Sequence, residues 1–153
     1  MKESECLSLQ IKSELMDFSI VPVQQMNTMH KNTLMETLSI VFTHSGENFL
    51  VAKMPVTTSH HQPMGLLHGG ATAALIETIG SMGSAMMCDL SKEAPVGLEL
   101  NVNHIKGVKQ GEVIGTGKII HKGRSTHLWQ VDVHNSDNIL IATGRLTVMI
   151  IQR

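Results

Sequence analysis

The chain has 153 residues, 42% of them hydrophobic and 16% charged, a balance that lets one domain bury a real core and excludes a disordered chain. Twelve Lys and Arg stand against thirteen Asp and Glu, for a net charge of -1, and no basic run is long enough to follow a phosphate backbone, so nucleic acid is not an expected partner. Tyr is absent, Phe numbers three and Trp one against eleven Met, so an apolar site here is shaped by flexible thioethers and aliphatics more than by ring stacking.

From Met1 to Phe18 the apolar residues are interrupted by Lys2, Glu3, Glu5, Lys12, Glu14 and Asp17, which is not the pattern of a secretory signal. Cys6 and Cys88 lie far apart and lack the spacing of a metal site or a redox pair, so the expectation is a cytoplasmic protein without a metal. Residues 1–30, with Pro22 as a break, read as an N-terminal arm of short helix and loop, and 31–153 as a single domain. Two strands are expected over 38–43 and 48–56 around Ser45-Gly46. From His68 to about Met87 the residues are small or apolar, and Glu77 is the sole formal charge between Gly65 and Met87. A central Glu among repeated Gly, Ser and Thr makes bilayer insertion costly, so this segment predicts a helix buried in protein, with no membrane partner. After Pro95 the period becomes two: Leu98, Leu100 and Val102 alternate with Glu99, Asn101 and Asn103, predicting a half-buried strand whose inward row continues to His104. Further strands are expected over 111–121, 126–134 and 139–151, separated by Lys122-Gly123-Arg124 and Asn135-Ser136-Asp137-Asn138. Two strands, one long helix and four strands make an α+β fold, an antiparallel sheet wrapped around one central helix.

The segment from His61 to Ala71 carries the chemistry. Gly69 and Gly70 at a helix start allow close approach of a ligand or another backbone, and the first helical N–H groups have no partner inside the helix. They either stabilise a carbonyl oxygen as it gains charge or simply permit tight packing on the sheet. Glu77 is a lone carboxylate on an apolar helix; it is either a general base, with Ser81 one turn on to orient a water, or a solvent-facing residue. His68 at the helix entry can donate to a carbonyl, and Gln62 lies in the loop before it, whereas His104 is a satisfied core histidine or the polar tip of a pocket. No GxGxxG, P-loop, GxSxG or HExxH motif is present, and Gly115-Thr116-Gly117 reads as relief of a bend in a strand. Gly69 and Glu77 are eight positions apart, about 12 Å along a helix, while a base and an oxyanion donor must each lie about 3 Å from the reacting groups. If both act on one carbonyl, they come from two subunits, which predicts a homodimer or a tetramer built from dimers.

Gln62-Pro63-Met64-Gly65-Leu66-Leu67-His68-Gly69-Gly70, followed by Glu77 and Gly80-Ser81, resembles the active-site segment of hotdog-fold acyl-CoA thioesterases, closest to the bacterial hydroxybenzoyl and dihydroxynaphthoyl thioesterases of the phenylacetate-degradation-like group. The resemblance runs from about Leu38 to Ile151, through Val96-Gly97-Leu98-Glu99-Leu100-Asn101 and the Gly123-Arg124 turn. It implies that Glu77 is the general base or nucleophile, that Gly69 supplies a backbone N–H to the thioester oxygen, and that Gln62 and His68 contact that carbonyl. It places Ser81 beside the hydrolytic water, and Met82, His104 and Met64 near the acyl group. Lys106, Lys122, Gly123, Arg124 and Ser125 become candidates for phosphate and pantetheine contacts. The implied substrate is an aryl or medium-size acyl thioester of coenzyme A or of a carrier protein, with no cofactor beyond the coenzyme A of the substrate itself. Met64 stands where relatives commonly have an aromatic residue. Two other functions share this fold: a module that binds acyl-CoA without turnover, and a dehydratase or hydratase with a different acid/base pair.

Overall fold

The structure is a computed structural model that describes residues 16–153; the earlier part of the arm, including Cys6, lies outside the described residues. A 3-10 turn at Phe18–Ile20 leads into α1 (Val23–Thr28) and α2 (Leu34–Thr37). Strands β1 (Val41–Gly46) and β2 (Phe49–Val56) precede the long helix α3 (Gly69–Ala85). Then come β3 (Glu93–His104), β4 (Gly111–Lys122), β5 (Thr126–Asn135) and β6 (Leu140–Gln152). All six strands form one antiparallel sheet in the order β1-β2-β4-β5-β6-β3, wrapped around α3 in the hotdog arrangement.

The alternation of β2, β4, β5 and β6 turns one side of each strand to the helix. Leu50, Met54, Val113, Trp129, Val131, Leu146 and Val148 are fully buried there, facing Leu75, Ile76 and Ile79 of α3. The helix sits unusually close to the strands because glycines face it from both sides. A Cβ on Gly83 would come within 2.2 Å of the Trp129 ring, and one on Gly117 within 2.4 Å of Ile79. Gly115 also lies under Ile79, so the glycine pair of β4 makes room for the helix rather than relieving a bend. Buried Trp129 donates its indole N–H to Ser84 Oγ at 3.0 Å, which satisfies both groups and locks the helix against β5.

The hairpin of β1 and β2 turns two residues later than Ser45-Gly46. Its apex is Glu47-Asn48, where Asn48 takes φ 62°, a left-handed conformation Asn tolerates and most residues avoid. The inward row expected for β3 is also broken: the register shifts between Gly97 and Glu99, and Leu98 is 57% exposed while Leu100 and Val102 stay partly buried. Of the arm, Phe18 and Met26 belong to the core; the Phe18 ring lies 5.6 Å from that of Trp129. Asn27 clamps α1 to β1 by donating to the Phe42 carbonyl at 3.0 Å and accepting from the Phe42 N–H at 2.8 Å.

His127 shares the inward side of β5 with Trp129, is buried, and has no hydrogen-bond partner at Nδ1. Burial pushes its pKa down, Lys122 and His121 push the same way, and Glu93 opposes them. The folded state therefore holds this imidazole neutral where the unfolded chain would protonate it, so its stability is intact above about pH 6.5 and is lost as pH falls below that value. Thermal unfolding between pH 7.5 and 5 should show a falling Tm, and His127→Leu should flatten that fall without lowering Tm at pH 7.5. An unchanged slope would remove His127 as the cause.

Candidate active site

The start of α3 forms the first half of the site. His68 is the N-cap: its backbone N–H donates to the His60 carbonyl at 2.8 Å, and its carbonyl accepts from Ala71 and Thr72. Its ring Nδ1 accepts from the Gly70 N–H at 2.8 Å, which in a neutral imidazole puts the ring proton on Nε2. That Nε2–H is a free-standing donor on an exposed residue. Gly70, Ala71 and Thr72 thus have acceptors, while the Gly69 N–H has none among the described residues. A Cβ on Gly69 would lie 2.8 Å from His104 Nε2, so only glycine lets the His104 ring pack across the helix entry. Gln62 folds its side-chain oxygen onto the Met64 N–H within the turn closed by Gly65, at φ 75°, leaving the amide NH2 as a donor. Gln62, Gly69, His104 and Lys106 line one shallow cleft of about 260 Å³.

Two turns further on, Glu77 belongs to a different cleft, of about 530 Å³, which it shares with Ser81 and Met82. The Ser81 hydroxyl donates to Glu77 Oε1 at 3.2 Å. Glu77 is partly buried, and its carboxylate lies against the backbone of β3: a Cβ on Gly97 would come within 2.1 Å of Oε1. The two clefts have no residue in common. One chain therefore presents the donors and the carboxylate in separate places, as the 12 Å estimate along the helix requires.

The remaining expected contacts are dispersed. Met64 is 81% exposed at the tip of its turn and lines neither cleft. Lys122, Gly123, Arg124 and Ser125 occupy the hairpin between β4 and β5, whose β6 partner Met149 in turn pairs with Val96 near the start of β3. Lys106 follows the end of β3, at the opposite end of that strand. Sequence reasoning passed over Gly97 and the apolar residues of α1 and α2 that line the Glu77 cleft.

Comparison with known proteins shows the family. The family profile described as "Thioesterase superfamily" matches residues 64–142. The chain belongs to the thioesterase superfamily. It is 40% identical over 129 residues to a putative esterase of Pseudomonas aeruginosa, covering 84% of this chain and 89% of that one. It is 38% identical to the proofreading thioesterase EntH of Cronobacter sakazakii, over 84% and 93% of the two chains. To the 1,4-dihydroxy-2-naphthoyl-CoA hydrolase of Escherichia coli it is 36% identical, over 86% and 96%. Among solved structures, a mutant thioesterase from P. aeruginosa superposes with a TM-score of 0.86 at 36% identity, covering 90% of this chain and 99% of that one. This superfamily member is a thioester hydrolase, and the non-catalytic binding module weighed from the sequence falls away.

Gly97 offers a sharp test of the Glu77 half of the site. Gly97→Ala adds one methyl that meets only the flexible end of the Glu77 side chain, which the backbone tolerates, but it forces the carboxylate to move. We expect kcat for thioester hydrolysis to fall by about tenfold or more with Tm held within a few degrees, since small displacements of a reacting group carry large rate penalties. A kcat equal to that of the parent would show that the position of the carboxylate is not critical.

Proposed function

We propose that this chain hydrolyses acyl thioesters of coenzyme A, with an aryl or medium-size acyl group, at two equivalent sites that each join two subunits. The observation that carries this reading is the separation of two complementary half-sites on one helix. Gln62 and Gly69 line one cleft at the start of α3, where the Gly69 N–H and the Gln62 amide, with the exposed His68 Nε2–H beside them, are donors for a thioester oxygen, and Glu77 with Ser81 lies about 12 Å on. In a two-fold dimer with antiparallel neighbouring α3 helices, the helix start of one subunit meets Glu77 of the other. The edge of the sheet supports such pairing: β3 has twelve residues, a neighbour on one side alone, and Val96 and Leu98 exposed. The same two-fold would carry the β4–β5 hairpin of one subunit, with Lys122, Arg124 and Ser125, toward Lys106 of its partner, where cations suit the phosphates of coenzyme A.

Attack on the carbonyl builds negative charge on its oxygen, which the three donors receive in place already oriented. Glu77 then either takes a proton from the attacking water or attacks the carbonyl itself to form an anhydride that water opens. In both routes the thiolate of coenzyme A leaves and is protonated, and the acyl group leaves as the free acid. The relatives' names give this reading its substrate class, since one acts on a naphthoyl-CoA. The thiol of partly buried Cys88 is pushed up by burial and then by Glu93, against Lys122. Among the described residues no helix is long and apolar enough to cross a membrane.

Release of free thiol from a panel of acyl-CoAs tests the activity, and Glu77→Gln, isosteric and without the basic oxygen, should lower kcat by about 10²-fold or more with the fold kept. Activity within a few-fold of the parent would remove Glu77 from the reaction. The shared site has its own test. Inactive Glu77→Ala and His68→Ala chains, unfolded and refolded together in equal amounts, should regain about a quarter of parental activity, because mixed dimers hold one site with both lesions and one with neither. No regain despite demonstrated subunit exchange would place the whole site within one chain.

A further inference from the structure

Resting on the hydrolase reading, we propose that α1 and the start of α2 form the outer wall of the acyl subsite, and that this subsite takes a flexible aliphatic chain in preference to a planar aryl group. The cleft of about 530 Å³ beside Glu77 lies between α3 and the arm, with Glu77 and Ser81 as its polar end. Gln25 of α1 and Met29 at its C-cap, four residues apart and so on one face of the helix, line it together with Val21, which is extended and precedes Pro22. The opposite face is fixed: Met26 and His30 are buried, and Asn27 holds both polar groups of the Phe42 backbone. The wall is thus anchored to the core and cannot swing away without breaking those contacts.

Its chemistry is soft and unbranched. Met35 adds to Met29 on the arm side, and Met82 and Met86 face them from α3. Thioether side chains adapt to the kinks of an alkyl chain, and they lack the rigid ring faces that hold an aryl group by offset stacking. No Phe, Tyr or Trp lines this cleft. Phe18, Phe42 and Trp129 are buried in the core, and the Phe49 ring packs over Gly46. A chain whose thioester carbon sits at Glu77 runs from the polar end into the four methionines.

The test compares kcat/KM of the full chain for acetyl-, hexanoyl-, decanoyl- and benzoyl-CoA with that of Met29→Asp, a change at a residue 54% exposed and so tolerated by the fold. Ile20→Asp, at a 75% exposed neighbour outside the cleft, is the control. The parent should gain at least about threefold per added pair of carbons up to decanoyl, and decanoyl should exceed benzoyl by about tenfold or more. Met29→Asp should cut the decanoyl-to-acetyl ratio by about tenfold or more while Ile20→Asp keeps the parental ratio. Benzoyl as the best substrate, or an unchanged ratio in Met29→Asp, overturns the inference. Calorimetric binding of the uncleavable decyl thioether of coenzyme A separates this inference from the hydrolase reading. Tenfold weaker binding by Met29→Asp with no thioester cleaved by the parent would uphold the cleft and remove hydrolysis. Equal binding by both proteins, with thioesters cleaved, would remove the cleft and uphold hydrolysis.

Discussion

The close seating of α3 on the sheet governs the rest of the molecule. Gly80 and Gly83 on the helix, and Gly115 and Gly117 beneath it, bring backbone and ring surfaces together at distances no Cβ would allow. The Trp129–Ser84 hydrogen bond then fixes how the helix is rotated about its own axis. With Leu75, Ile76 and Ile79 turned inward, helical geometry leaves Glu77, Ser81 and Met82 on the flank that faces β3 and the arm. A helix held less closely could roll, and the carboxylate would lose its place against Gly97. The close packing that stabilises the core is therefore also what aims the site, and a core substitution at Gly83 or Trp129 reaches the chemistry through the helix.

How much of this the sequence discloses depends on how local each feature is. The long helix, its start at His68-Gly69 and the isolated Glu77 are all visible in one continuous stretch, because a lone charge among small apolar residues stands out by itself. The sheet was legible in its strand count, since period-two runs and turn clusters are local signals too. What escaped depends on partners distant in sequence. Gly97 is one small residue in a strand, and only the fold sets it where a Cβ would come within 2.1 Å of Glu77 Oε1. The bulge that turns Leu98 outward comes from pairing with β6 and leaves no trace in the alternation of β3 itself. The spacing of Val21, Gln25 and Met29 was there to read, but six helical residues after a proline give too short a pattern to separate from chance.

The division of the site follows from the same helix. A donor cluster has to sit at a helix start, because only there are backbone N–H groups free, and here capping by His68 consumes one of them while leaving Gly69 open. The carboxylate, by contrast, has to sit where neighbours can shield and position it, and that is the middle of the helix, against β3 and Ser81. These two requirements cannot be met at one point on one helix, so they stand about 12 Å apart, and the site we propose calls on a second copy of the helix to close the gap.

That separation also frees the acyl end of the site to vary. The donors and Glu77 are tied to α3 and to its contacts with the sheet, where almost any change disturbs the core. The wall of the proposed acyl cleft, Val21, Gln25, Met29 and Met35, lies in a segment that touches the core through Phe18, Met26 and Asn27 but presents Gln25 and Met29 on an exposed face. On that proposal, substitutions on this face change what the cleft holds while leaving the contacts of α3 with the sheet in place. In the arrangement we propose, chain-length preference is set by residues lying forty or more positions before the carboxylate, in a segment that buried Phe18 and Met26 and half-buried Asn27 anchor beside it.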